Sequence, residues 1–127
     1  MEVKQPLLVL VILVGLIVVS TASAATITIG PAANGTTIRL HPGDTLVVRL
    51  PGNPTTGYRW SASRVPVVLR RLSSTYVPTL PKRLGQGGTF VFRFAAERGS
   101  GTLRLIYRRP WETNKAPLRT FTVTVRN

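Results

Sequence analysis

The chain is expected to be all-β, a sandwich or barrel of about seven to nine short strands, and three observations predict it. Apolar residues alternate with polar ones at a period of two in segment after segment. Across the length that follows the first two dozen residues, no window shows a helical period, and β-branched residues abound. The nine prolines after Ala24 fall between the alternating segments, where no ladder N–H is demanded of them.

The segments follow in order. Thr26–Ile29 and Thr37–Leu40 are short and weakly patterned. In Thr45–Leu50, Leu46, Val48 and Leu50 share one face. Tyr58–Ala62 places Tyr58, Trp60 and Ala62 together, with Trp60 as the core residue of that strand. Val67–Leu72 is a weaker candidate, and residues 73–84 show no readable pattern. Thr89–Ala95 lines up Phe90, Phe92 and Phe94, and Thr102–Tyr107 lines up Leu103, Leu105 and Tyr107. Thr120–Val125 closes the series with Phe121, Val123 and Val125. In every strong segment the intervening positions are mostly Arg, Ser or Thr, so one face seeks a core and the other seeks water.

The first residues read differently. Leu7–Val19 is an apolar run of 13 residues interrupted by Gly15 alone, preceded by Lys4 and followed by Ala22-Ser23-Ala24. That is the length and flank of a signal peptide, and it is short of the ~20 residues that span a bilayer. The expectation is a leader over 1–24, cleaved after Ala24, and a secreted or periplasmic domain over 25–127. An uncleaved membrane anchor is the weaker reading.

Composition narrows function before any motif is weighed. There are no cysteines, one histidine and four acids against 17 Lys+Arg, for a formal net charge of +13. A thiol nucleophile, a disulfide framework and a Cys-ligated metal are excluded, and paired-carboxylate chemistry has little material. His41 and Asp44 sit three residues apart in a Pro-Gly turn, a spacing unsuited to the relay of a Ser-His-Asp triad. Glu97 and Glu112 are expected to lie far apart, against glycosidase-type chemistry. No cofactor, no metal and no enzymatic activity are expected.

If successive strands reverse direction, the connections after Leu50, after Leu72 and after Tyr107 emerge at one end. These are the unusual ones: Asn53-Pro54-Thr55-Thr56-Gly57-Tyr58, Gly85-Gln86-Gly87-Gly88 and Arg109-Pro110-Trp111. Alone, each has a plain reading as a turn, a flexible tip or a folded-back tryptophan. In this order, with Trp60 two residues after Tyr58 and the ending Phe121-Thr122-Val123-Thr124-Val125, they resemble the chagasin family of cysteine-protease inhibitors.

The resemblance spans essentially all of 25–127. It implies an immunoglobulin-like sandwich whose three loops form a wedge for the active-site cleft of a papain-like cysteine peptidase. It implies protease-binding roles for Asn53, Pro54, Thr55, Thr56, Gly57, Tyr58, Gly85, Gln86, Gly87, Gly88, Arg109, Pro110 and Trp111. Within that set, Tyr58 leans toward the core and Asn53 toward bracing its own loop. Arg109 is open between meeting an acid of the enzyme and bracing the loop. The glycines are expected to let backbone approach the cleft wall, and Trp111 to be the anchor. Inhibition is expected to be non-covalent and the protein a monomer.

The resemblance does not call for the +13. Fourteen arginines, many at outward strand positions, also fit an exported sandwich that binds polyanions: acidic polysaccharide, nucleic acid or an anionic membrane surface.

Overall fold

The computed structural model describes Glu2, Lys4, residues 11–18 and residues 23–127. The expected leader over 1–24 therefore falls partly outside the described residues. Those described within 11–18 form neither helix nor strand. Among the described residues no helix is long and apolar enough to cross a membrane.

Eight strands form two four-stranded sheets. They are β1 (Thr26–Ile29), β2 (Thr37–Arg39), β3 (Thr45–Gly52), β4 (Arg59–Arg64), β5 (Leu69–Pro78), β6 (Gly88–Ala96), β7 (Ser100–Arg108) and β8 (Arg119–Arg126). The first sheet runs β1-β3-β6-β5 and the second β2-β8-β7-β4. β1 pairs parallel with β3 and β2 parallel with β8, and every other pairing is antiparallel. This division of strands is that of an immunoglobulin-like sandwich whose first strand is split between the sheets.

The core is built from the alternating faces. Leu46, Val48 and Leu50 of β3 and Phe90, Phe92 and Phe94 of β6 face Leu103, Leu105 and Tyr107 of β7 and Phe121, Val123 and Val125 of β8. Trp60 is buried among them, and its indole N–H donates to the Pro51 carbonyl at 2.9 Å, so its one polar atom is satisfied.

Several strands depart from the expected boundaries. The strand expected at Val67–Leu72 begins later, at Leu69, and runs on to Pro78, through half of the unreadable stretch. It pairs with β6 alone, and a bulge between Arg71 and Ser73 breaks its register. From Arg70 to Thr75 every residue is exposed, so neither face carries an apolar row. β4 begins at Arg59 and leaves Tyr58 in the preceding loop. β3 and β5 also take in Pro51 and Pro78 near their ends.

At the end of the sandwich where β3 begins, the His41–Asp44 turn is structural. Asp44 is 4% exposed, and its carboxylate accepts the backbone N–H of Ala25 at 2.9 Å and of His41 at 2.8 Å. These two bonds hold its carboxyl below the usual carboxylate range, Ala25 contributing most. The β6–β7 turn, holding Glu97, lies at this end too; Glu112, in the β7–β8 loop, lies at the other.

Candidate functional site

The β3–β4, β5–β6 and β7–β8 loops meet at the other end of the sandwich, where their flanking strands pair. Each has bonds of its own. In the first, Asn53 caps a single 3-10 turn over Pro54–Thr56. Its side-chain oxygen accepts from the Thr55 N–H at 3.2 Å and from the Thr55 hydroxyl at 2.6 Å. The Thr56 hydroxyl donates to the Asn53 carbonyl at 2.7 Å. Both threonine hydroxyls are thus spent inside the loop, while Thr55 and Thr56 remain exposed. Gly57 ends the turn at φ +85°, a left-handed conformation that favours glycine.

The β7–β8 loop is tied by charge. The Glu112 carboxylate lies 2.8 Å from Lys115 Nζ and 3.4 Å from Arg109 Nη1. Lys115, and to a smaller extent Arg109, lowers the Glu112 carboxyl below its usual value, and Glu112 raises Lys115. Arg108 Nη2 donates to the Glu112 carbonyl at 2.7 Å. In the β5–β6 loop the Thr79 N–H donates to Gly87 O at 3.1 Å and the Gln86 N–H to Arg83 O at 3.2 Å.

The loops are also joined to each other. Asn53 Nδ2 donates to the Gly85 carbonyl at 2.8 Å, linking the first loop to the second. Arg109 Nε donates to the Thr56 carbonyl at 3.0 Å, linking the third to the first. The Asn53 N–H donates to the Tyr107 hydroxyl at 2.9 Å, fastening the loops to the core. The Arg109 guanidinium lies 4.6 Å above the Tyr58 ring, which stacks on Tyr107 at 5.3 Å. Tyr107 in turn lies 5.1 Å from buried Trp60, so one column of rings runs from the loops into the core.

The residues singled out in the sequence thus gather at one end, in different positions. Thr55, Thr56, Gly85, Pro110 and Trp111 are exposed, with Trp111 69% exposed. Asn53, Pro54, Gly57, Tyr58, Gln86, Gly87, Gly88 and Arg109 are half-buried. Arg109, left open by the sequence, spends its guanidinium on Thr56, Glu112 and Tyr58 and is a brace. Two glycines are required from inside. A Cβ on Gly87 would come within 2.7 Å of the Gly52 carbonyl oxygen, and one on Gly88 within 2.7 Å of the Tyr76 hydroxyl. Only Gly85, at φ +74° with open space beside it, is exposed in that motif.

Sequence reasoning missed Leu80 and Leu84. They are 80% and 106% exposed, and Leu84 lines a groove together with Pro54, Tyr76, Pro78 and Gln86. The signal available was two leucines in a loop whose other residues are polar, Gly or Pro. Among the described residues no group of three or more His, Asp or Glu side chains could hold a metal.

Residues 39–125 match the sequence model described as Chagasin family peptidase inhibitor I42. The chain is 36% identical over 93 residues to Amoebiasin-1 of Entamoeba histolytica, covering 72% of this chain and 90% of that one. It is 32% identical over 98 residues to Chagasin of Trypanosoma cruzi, covering 72% and 89%. Its fold is similar to the crystal structure of the cysteine protease inhibitor EhICP2 from Entamoeba histolytica. There the TM-score is 0.73 and the identity 25%, over 83% of this chain and 97% of that one. The ordered motifs, the two-sheet fold and these similarities lead to one conclusion: the chain belongs to the chagasin family of cysteine-protease inhibitors and is not an enzyme.

Proposed function

We propose that the protein blocks the active-site cleft of papain-like cysteine peptidases reversibly, with the three joined loops as the wedge. The observation that carries this reading is the cross-loop bonding of Asn53 to Gly85 and of Arg109 to Thr56. It makes three loops one rigid body, so little entropy is lost on docking. The tip of that body, Thr55, Thr56 and Gly57, has no formal charge, and burying it beside a catalytic Cys–His pair leaves no charge unpaired. Trp111, large and exposed, is the residue type that most often dominates an interface. The sequence has no cysteine to form a mixed disulfide with the enzyme, and the complex is non-covalent in this reading. Export through a leader over 1–24 belongs to the same reading, and amino-terminal sequencing of the protein recovered outside the cell tests it.

Titration of active-site-counted papain tests the function itself. Activity should fall linearly to a one-to-one equivalence, with the inhibitor recovered uncut. Full activity at micromolar inhibitor would overturn the proposal. So would inhibition that fades as the inhibitor is digested.

A further inference from the structure

The outer face of the second sheet carries a pattern that the wedge does not use. Leu103, Leu105 and Tyr107 of β7, Phe121, Val123 and Val125 of β8, and Trp60 of β4 point into the core. Their neighbours point away from it, because side chains alternate along a strand. Those neighbours include Arg59 on β4, Arg104 and Arg108 on β7, Arg126 on β8 and Arg39 on β2, and a bulge between Ala62 and Arg64 brings Arg64 to the same face, opposite Arg104. The register sets these six as three directly opposed pairs: Arg59 with Arg108, Arg64 with Arg104, and Arg39 with Arg126.

Like charges directly opposite across two strands destabilise a sheet. No carboxylate relieves these. The acids of residues 23–127 are Asp44, Glu97 and Glu112. Asp44 is held in its turn, Glu97 pairs with Arg70, and Glu112 pairs with Arg109 and Lys115. The first sheet has no such pairs: Arg49 stands opposite Val91, and Arg93 opposite Val47 and Ser73. Around the arginines, the second sheet's outer face is hydroxylic, with Ser61, Ser63, Thr102, Thr120, Thr122 and Thr124.

The pairs are also evenly placed. Arg108 and Arg104 are four residues apart on β7, and Ser100, four further on, stands opposite Arg126. At about 3.3 Å per residue the steps along the strands are about 13 Å, so the three pairs span roughly 26 Å, with the Arg39/Arg126 pair two strands, about 10 Å, to the side of the other two.

We propose that this face binds an acidic polysaccharide, with a sulfated or carboxylated chain lying along the sheet. Guanidinium forks match sulfate and carboxylate oxygens two at a time, and the anion relieves the Arg–Arg repulsion, with Arg108 the exception because its Nη2 already donates to the Glu112 carbonyl. The serine and threonine hydroxyls between the arginines suit sugar hydroxyls. Single-stranded nucleic acid is disfavoured because it needs exposed aromatic platforms, and Trp60 and Tyr107 face inward. A membrane is disfavoured because it rewards an exposed apolar surface, and the apolar residue at the centre of this face, Ile106, is 9% exposed.

The test compares two variants of equal charge change with the parent, using a heparin fragment as probe. One is Arg64→Ser/Arg104→Ser/Arg126→Ser on this face, and the other is Arg49→Ser/Arg93→Ser/Arg98→Ser away from it. The parent should bind heparin with a steep salt dependence. The face variant should lose about tenfold or more and show a shallower salt slope, while the control should stay within about threefold. Both should inhibit papain as the parent does, since none of these residues lies in the wedge. The face variant should melt at or above the parent's temperature, because repulsion has been removed. Equal losses in both variants would overturn the proposal by assigning binding to net charge alone. Heparin binding that is absent in the parent, or unchanged in the face variant, would also overturn it. So would tighter binding of an oligonucleotide or of phosphatidylglycerol vesicles than of heparin.

Discussion

Gly57 and Trp111 act as one device at the tip of the wedge. Gly57 holds φ +85°, and a Cβ there would overlap the Trp111 ring. Gly57→Ala therefore strains the turn and displaces the tryptophan together. It should weaken peptidase inhibition about tenfold or more while the melting temperature stays close to the parent's, because both residues lie outside the core. The two tryptophans should separate binding from folding. Trp111→Ala should cost about 2 kcal/mol or more of binding with the fold intact. Trp60→Ala should cost about 3–5 kcal/mol of stability in urea unfolding, since it empties a packed site. An unchanged inhibition constant for folded Trp111→Ala would remove that loop from the wedge. At this scale the sequence reads unevenly. Asn53 as a brace follows from its type, because Asn bonds its own turn. Arg109 stays open because its partners, Thr56 and Tyr58, are about fifty residues away. Gly87 and Gly88 point outward on paper and are needed inward, because Gly52 and Tyr76 crowd them only once β3, β5 and β6 are paired.

The β7–β8 loop depends on one carboxylate. Glu112 is held below its usual value of 4.5 by Lys115 and Arg109, so its contribution to loop order is full above that value. It is lost as pH falls through the lowered one. Inhibition measured against a peptidase active at acidic pH should weaken on that descent, and Glu112→Gln should flatten the profile while weakening inhibition at neutral pH. A Glu112→Gln protein with the parent's constant and the parent's profile would show that the clamp is idle. Strand legibility follows the same local logic. β3, β6, β7 and β8 each bury an unbroken apolar row on one face and carry Arg or Thr on the other, where only Val47, Val91 and Ile106 are buried, so their alternation is visible in the chain. β5 is an edge strand with a bulge at Arg71/Ser73 and no buried row beyond Leu69, so residues 73–78 carry no period to read.

Across the whole molecule, 17 Lys+Arg against four acids give a field that the wedge tip itself does not share. Exposed charges are screened beyond about 8 Å at physiological ionic strength. Toward an acidic peptidase, salt should therefore slow association strongly and leave dissociation nearly constant, because Thr55, Thr56, Gly57 and Trp111 hold the complex without formal charge. A stopped-flow salt series separates the two rates. A dissociation rate that climbs with salt would mean that charged contacts hold the complex.

Asp44 ties the start of the folded chain to the rest, and the atom it grips has a chemical identity that proteolysis can change. The nitrogen 2.9 Å from its Oδ1 belongs to Ala25, the first residue after the expected cleavage point. In an uncut chain that nitrogen is an amide. After a cut between Ala24 and Ala25 it is an ammonium, and the hydrogen bond becomes a charge pair around a carboxylate that is 4% exposed. Maturation would then strengthen the domain without moving an atom of it. Asp44 is already held below 3.8, so its contribution is present above that value and lost on acidification. A chain beginning at Ala25 with a free amine should resist acid and heat better than one carrying a single extra residue in front. Asp44→Asn should erase the difference. Equal melting of the two chains in the parent background would show that Asp44 does not distinguish the amine from the amide.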